Sequence, residues 1–242
     1  MDNWQEIFDL DMKGRKLGKE FIEEGKKMRE LLIQVYPQRL DGRQCILELK
    51  NNGSNNWRQM EWIGWYFEEK SQILLFDKIG GGRGPKFGNV EFDYKLNFVW
   101  DFKAHAIKNE KNQWTILNDV EAIVNIIEKF GSIGYCICEG IAEYDDEEST
   151  FKKWHDELKG KTSDYVKERI KRGAPSRRRK VALEIQKFLL FGFMSLNDIK
   201  RGVKEKWIKE FQKDFRNADG SPRREKLQID LNRIPEEYII PD

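Results

Sequence analysis

The chain has 242 residues, of which 44 are lysine or arginine and 42 are aspartate or glutamate, so the formal net charge is only +2. This length suits a single domain, 39% hydrophobic residues are enough to build a core, and near-neutral charge neither demands nor excludes a nucleic-acid partner. Three cysteines and two histidines do not make a disulfide framework or a paired-cysteine zinc site, and no stretch predicts a signal peptide or membrane span, so we expect a cytoplasmic protein with no membrane partner.

The N-terminal region, residues 1–56, is predicted to be mainly helical. Apolar residues recur on one face through residues 4–35, with a break near Gly14. Residues 44–50, QCILELK, are typical of a short strand, and the asparagine-rich segment after them is typical of a turn.

An aromatic-rich stretch, residues 57–70, comes next. Its pattern fits either a strand or a helix with Glu61, Trp65 and Glu68 along one side, and we favour the strand. Residues 73–78, ILLFDK, predict a further strand.

A hairpin and a crossover are predicted after the glycine-rich loop 80–88. The hairpin strands cover residues 89–94 and 96–107. A helix over 118–129 follows, capped by Asn118 or Asp119 and ended by Gly131, and residues 134–144 form a buried strand. Strand, helix and strand with short links predict a mixed α/β sheet flanked by helices.

The composition becomes more charged after Asp145. Residues 145–180 are predicted to be helical or partly mobile, 183–193 a strand, 196–215 a basic helix, and the tail ends in a short strand. Two basic segments stand out, Lys167–Lys180 and the stretch from Arg216 to Lys226. Arginine pairs with phosphate and with guanine edges, so these segments are candidates for DNA contact.

The hairpin strand around Asp101 has two unlike faces. Phe98, Trp100 and Phe102 alternate with polar residues, and side chains two apart on a strand share a face at about 6.6 Å. Asp101 and Lys103 therefore stand side by side in front of an apolar layer.

Asp93 and Asp101 are candidate ligands for Mg²⁺. This ion prefers oxygen ligands and is commonly held by one or two carboxylates plus a substrate phosphate. The carbonyl of Phe102 could add a third oxygen, while Lys103 could orient water and offset phosphate charge. This chemistry suits hydrolysis of a phosphodiester.

The spacing of Asp93 from Asp101-Phe102-Lys103 resembles the PD-(D/E)xK nuclease superfamily, although Phe92 stands where that family often has proline. Within the superfamily the chain looks most like a type II restriction endonuclease. The resemblance implies a restriction-endonuclease-like fold and Mg²⁺-dependent cleavage of double-stranded DNA by a homodimer. It also implies a further glutamate, for which Glu61 is our candidate, with Glu20 and Glu68 behind it.

The resemblance fixes the expected organisation: one nuclease domain over 1–242, with an N-terminal helical region 1–56, a catalytic core 57–144 and a basic DNA-binding region 145–242. The DNA-binding candidates, all basic or amide side chains, are Arg177, Arg178, Arg179, Lys180, Arg216, Asn217, Arg223 and Lys226.

Three alternatives remain open. Glu48-Leu49-Lys50, preceded by Asp41, is a rival acid-x-lysine motif that we rank below the Asp93 set. The same metal site would also serve a repair or junction-resolving nuclease. Finally, Asp101 and Lys103 could be a plain ion pair in a nucleic-acid-binding protein without enzymatic activity.

Overall fold

The computed structural model of the chain describes residues 16–107, 113–160, 167, 171–173, 178–216 and 220–242. The helices are α1 (Lys19–Val35), α2 (Gly42–Asn51), α3 (Trp62–Ile79), α4 (Val120–Phe130), α5 (Thr150–Lys159) and α6 (Leu196–Lys204). The strands are β1 (Arg39–Asp41), β2 (Lys86–Phe87), β3 (Val90–Glu91), β4 (Tyr94–Lys95), β5 (Val99–Ile107), β6 (Trp114–Asp119), β7 (Ile133–Tyr144), β8 (Lys180–Phe193), β9 (Ile208–Phe211) and β10 (Lys226–Asp230).

A five-stranded mixed sheet organises the fold, with strand order β1-β8-β7-β5-β4. Strands β5 and β7 are parallel, with Asp101 opposite Tyr135, whereas the other neighbours in this sheet are antiparallel. The chain leaves β5, passes through β6 and α4, and returns as β7, which is the predicted crossover. The prediction of a mixed α/β sheet flanked by helices is confirmed.

Each face of this sheet is covered by its own apolar cluster. On one face, Trp100 and Phe102 pack with buried residues of α1, α2 and α3. On the other face, Val99 and Tyr135 pack with α4, α6 and a second sheet of order β6-β10-β9. Because successive strand residues point to opposite faces, β5 contributes to both clusters.

Several predicted elements are confirmed with small shifts of their ends. Helix α4 buries Val120, Ile123 and Ile127, and it stops at Gly131, whose φ of 76° is left-handed and suits glycine. Strands β7, β8 and β10 lie where buried or terminal strands were expected. The described part of the first predicted helix is α1.

The three strands predicted within residues 44–78 are wrong, because this region forms α2 and α3. Asp41 caps α2 by accepting hydrogen bonds from the amides of Arg43 and Gln44. Helix α3 is apolar on several sides, since it contacts α1, α2 and β5, so it lacks the one-sided periodicity that reveals a helix. In the described parts of the chain, no helix is long and apolar enough to cross a membrane.

The basic helix predicted over 196–215 is also too long. A capping box between Ser195 and Asp198 begins α6, which ends at Lys204, and Lys206 adopts a left-handed φ of 63° that turns the chain into β9. The apolar residues that suggested a continuous helix instead belong to a strand paired with β10.

The turn before β5 is held by a buried carboxylate of α1. Glu24 accepts hydrogen bonds from the backbone and side-chain nitrogens of Asn97, at 3.1 and 2.8 Å, and from the indole of Trp100 at 2.8 Å. Glu24 is 7% exposed, so these bonds satisfy a charge that would be costly to bury alone.

His155 of α5 gives the fold an expected pH dependence. Its Nε2 donates to the carbonyl of Trp57 at 2.8 Å, and burial, with help from Lys159 and Arg179, lowers the pKa of His155 to about 4. In the unfolded chain His155 binds a proton near pH 6.5, so the stability that neutral His155 contributes is fully present above that pH and is lost as the pH falls toward 4.

We expect the free energy of unfolding to drop by about 2 kcal/mol more between pH 7 and pH 5 in the parent than in His155→Gln. Urea denaturation at both pH values measures this, and equal drops would contradict it.

Candidate functional site

The site lies at an open edge of the five-stranded sheet. Strand β4 pairs with β5 only as far as Trp100, whose carbonyl accepts from the amide of Asp93 at 3.1 Å. The next amide on that edge, that of Phe102, donates to Asp93 Oδ2 at 2.5 Å. Because the amide and carbonyl of a strand residue face the same edge, the Phe102 carbonyl also points toward this side.

Asp101 and Lys103 lie on one face of β5, as predicted. Lys103 Nζ donates to Asp101 Oδ2, and Asn118 Nδ2 donates to Asp101 Oδ1 at 2.9 Å. Asp101 is 1% exposed, while the Lys103 side chain keeps 27% of its surface in solvent. The two oxygens of Asp101 therefore have different partners, one toward the interior and one toward the opening.

Glu68 of α3 completes the cluster. Its half-buried carboxyl group hydrogen-bonds the side chain of Asp93 and interacts with Asp101 and Lys103. A hydrogen bond between two carboxyl groups needs a proton, which agrees with the raised pKa of both Glu68 and Asp93. We name Glu68, Asp93, Asp101 and Lys103 the edge cluster.

The edge cluster has three carboxyl groups and one ammonium group. Burial, followed by repulsion from Asp101 and Glu68, raises the pKa of Asp93 well above its usual value. Burial raises the pKa of Glu68 to about 7 despite the attraction of Lys103. For Lys103, burial lowers the pKa but Asp101 and Asp93 outweigh it, so the net shift is upward. The cluster thus favours additional positive charge.

The donor set of the edge cluster suits a hard cation. Among the described residues, no group of three or more His, Cys, Asp or Glu side chains is arranged so that it could hold a metal ion. Mg²⁺ needs fewer protein ligands, because it usually keeps waters and takes one or two carboxylates plus substrate phosphate. Asp93 and Asp101 lie near enough to repel each other, and together with the Phe102 carbonyl they offer only oxygen atoms, which is the donor type that such an ion prefers.

Glu61, the predicted extra glutamate, is not brought to the edge cluster. It precedes α3, is exposed, and pairs with Lys180 at 2.5 Å. Seven residues of helix separate it from Glu68 by about 10 Å along the axis. Glu20 is exposed on α1. The glutamate that lies beside the two aspartates is therefore Glu68, which the sequence-based prediction ranked behind Glu61.

The structure does not bring the residues of the rival motif, Asp41, Glu48 and Lys50, together into one site. Glu48 and Lys50 lie on α2, where residues two apart point in different directions. Glu48 instead accepts hydrogen bonds from Tyr66 at 2.7 Å and Lys70 at 3.0 Å, and Asp41 is a helix cap.

The first predicted basic segment is mostly engaged within the protein. Arg178 donates to the carbonyl of Asp145 at 3.0 Å, Arg179 is only 6% exposed, and Lys180 pairs with Glu61. Arg177 lies outside the described residues. The described basic side chains of this segment are therefore used mainly in contacts within the protein.

The second basic segment lines a cleft of about 490 Å³ beside the β2–β3 hairpin. Lys226 and Arg224 pair with Asp119 at 2.7 and 3.3 Å, and exposed Arg223 lines the same cleft. Its lining residues are Asn89, Val90, Asp119, Gln212, Pro222, Arg223, Arg224 and Lys226, that is, three cations and one carboxylate. Arg216 is exposed and donates to the carbonyl of Gly220, and Asn217 lies outside the described residues.

This basic cleft is connected to the edge cluster through the chain itself. Asp119, which holds the two cations, directly follows Asn118, which holds Asp101. Val90 at the cleft lies three residues before Asp93.

Asn118 was missed as a site residue, because its position before a helix suggested a cap. In the structure neither Asn118 nor Asp119 caps α4 through its side chain.

Comparisons of the chain with protein-family models, with curated proteins and with solved structures found no match. Functional inference therefore depends on the chemistry of the site.

The Asp101–Lys103 pair provides a stability test. Lys103→Met leaves three carboxyl groups without their ammonium group, and we expect it to destabilise the protein by about 2–3 kcal/mol. This loss is at or below the usual cost of breaking a buried ion pair, because Lys103 is partly exposed. Adding Asp101→Asn should restore at least half of that loss. Urea denaturation of the double-mutant cycle without divalent cations measures the coupling, and additive effects would show that the pair has no net interaction.

Proposed function

We propose that this protein is a Mg²⁺-dependent nuclease that hydrolyses phosphodiester bonds in double-stranded DNA, and specifically a type II restriction endonuclease. The single observation that carries the proposal is the edge cluster: Asp93, Asp101 and Lys103, singled out by their spacing, converge with Glu68 at an open sheet edge. An ordinary surface ion pair does not require three acidic groups around one partly buried lysine.

In this proposal Asp93, Asp101 and the Phe102 carbonyl hold the metal. The chemistry that Mg²⁺ supplies in such a site is neutralisation of phosphate charge and activation of water. Lys103 exchanges its partner from Asp101 to the substrate phosphate or the attacking water. Glu68, with its pKa raised to about 7 by burial, is suited to accept and return a proton near neutral pH.

The basic cleft is the part of the surface best suited to grip DNA. Arg223, Arg224 and Lys226 outnumber its one carboxylate, so the cleft has a positive excess that favours a phosphate backbone. Arg216 extends this surface.

The finer features of the proposal follow from the resemblance to the PD-(D/E)xK superfamily. The mixed sheet with helices on both faces would be the restriction-endonuclease-like core, and a homodimer would cut both strands. Such an enzyme acts on DNA in the cytoplasm.

Digestion of plasmid and phage DNA of known sequence tests the proposal directly. We expect discrete fragments with Mg²⁺ and none with a chelator. Asp101→Ala should reduce cleavage by at least about 100-fold, because it removes a charge placed for the transition state, while DNA binding persists in a shift assay.

Other outcomes distinguish the alternatives. Random or structure-dependent cutting would favour a repair or junction-resolving nuclease of the same superfamily. Binding without cleavage in both Mg²⁺ and Mn²⁺ would indicate a nucleic-acid-binding protein and refute the enzymatic proposal.

Two glutamates, one at the N-cap of α3 and one within that helix, provide a matched comparison. Glu68→Gln removes a charge from the edge cluster and should lower the cleavage rate by about 100-fold or more. Glu61→Gln makes the same chemical change about two turns away, next to Lys180, and should alter the rate by less than about threefold, since exposed ion pairs contribute little. Initial rates of plasmid nicking at pH 8 decide the matter; a larger effect from Glu61→Gln would reverse the assignment.

A further inference from the structure

Two buried polar side chains lie against the interior side of Asp101. Asn118 is 7% exposed and donates from Nδ2 to Asp101 Oδ1 at 2.9 Å. Tyr135 is fully buried and sits opposite Asp101 on the neighbouring parallel strand, so both side chains lie on the same face of the sheet.

Both side chains carry an atom without a hydrogen-bond partner. Within the described structure, Asn118 Oδ1 and the Tyr135 hydroxyl are buried and unpaired. A buried unpaired polar atom costs about 1–3 kcal/mol, and phenylalanine would fill the place of Tyr135 without that cost. Such a cost is typical of a functional site, where stability is reduced for the sake of the chemistry.

The amide of Asn118 has only one useful orientation. Its nitrogen must face Asp101, because its oxygen would repel the carboxylate, and this leaves Oδ1 on the buried side. The contact fixes Asp101 Oδ1, so that Oδ2, the oxygen now paired with the partly exposed Lys103, is the one left to exchange its partner.

We propose that Asn118 is a positioning residue that holds Asp101 in the orientation needed to bind a divalent cation. This inference rests on the proposed function and deepens it by naming the group behind the metal-binding carboxylate. Asn118 fixes one oxygen by a direct hydrogen bond. The Tyr135 hydroxyl lies on the same face of the sheet but makes no hydrogen bond to Asp101 in the described structure, so Tyr135 provides a matched comparison.

Direct binding of Mn²⁺ to the full chain, measured by calorimetry and electron paramagnetic resonance, tests the proposal without relying on cleavage. Groups that orient metal ligands typically contribute 10–100-fold to affinity, so Asn118→Ala should weaken Mn²⁺ binding by about 10-fold or more. The matched controls are Asn125→Ala in α4 and Tyr135→Phe, which removes a buried hydroxyl that does not bond Asp101, and both should bind Mn²⁺ as the parent does.

Unfolding measured on the same proteins separates positioning from a structural role. Asn118→Ser keeps a polar side chain that is too short to reach Asp101, so it should also weaken Mn²⁺ binding, even if Asn118→Ala does not fold. A stability loss with unchanged affinity in Asn118→Ala or Asn118→Ser would show a structural role and overturn the inference.

The outcomes also separate this inference from the proposed function. If the parent binds Mn²⁺, Asp101→Asn abolishes binding, and the two Asn118 variants bind like the parent, only the positioning role is overturned. If the parent does not bind Mn²⁺, both the nuclease proposal and this inference are overturned.

Discussion

Two buried carboxyl groups and a half-buried one around a single ammonium group are the constraint on which the rest of the site depends. Water screens their repulsion only weakly, so the site either takes up protons or attracts positive charge. The raised pKa values of Glu68 and Asp93 show the first response, and Lys103 in contact with Asp101 shows part of the second. A pocket of this kind is stable only because the surrounding fold holds its members in place.

Strand β5 holds the members of the edge cluster in place because its side chains pack on both faces of the sheet. Trp100 and Phe102 anchor it in one apolar cluster, and Val99 anchors it in the other. Since β4 is only two residues long, no strand among the described residues covers the β5 edge beyond Trp100, and Asp93 accepts the hydrogen bond of the Phe102 amide there. Because β4 is short, the edge of β5 beyond Trp100 is left open and Asp93 lies beside it.

The parts of the fold that the sequence predicted correctly have local patterns. The alternation along β5 and the apolar stripe of α4 could be read within a dozen residues, and so the crossover and the meeting of Asp101 with Lys103 were predictable. Helix α3 was not, because it packs against other elements on several sides and its apolar residues show no helical period.

The error in α3 led to the error in the site. With residues 57–70 taken as a strand, nothing distinguished Glu61 from Glu68; on the helix, one begins it in solvent and the other sits two turns later beside Asp93. Asn118 posed a different problem, since its partner Asp101 is 17 residues away and only the β6–α4 turn brings them together. Contacts of this kind depend on tertiary geometry that no short pattern records.

The carboxylate of Glu24 gives helix α1 an influence on a strand that lies more than 70 residues later in the chain. By holding Asn97 and the Trp100 indole, it sets where β5 begins, two residues before Asp101. Any slip of that starting point would turn Asp101 and Lys103 toward the opposite side of the sheet, because strand side chains alternate. The register of the edge cluster is thus anchored from outside the cluster, by a carboxylate of a different element.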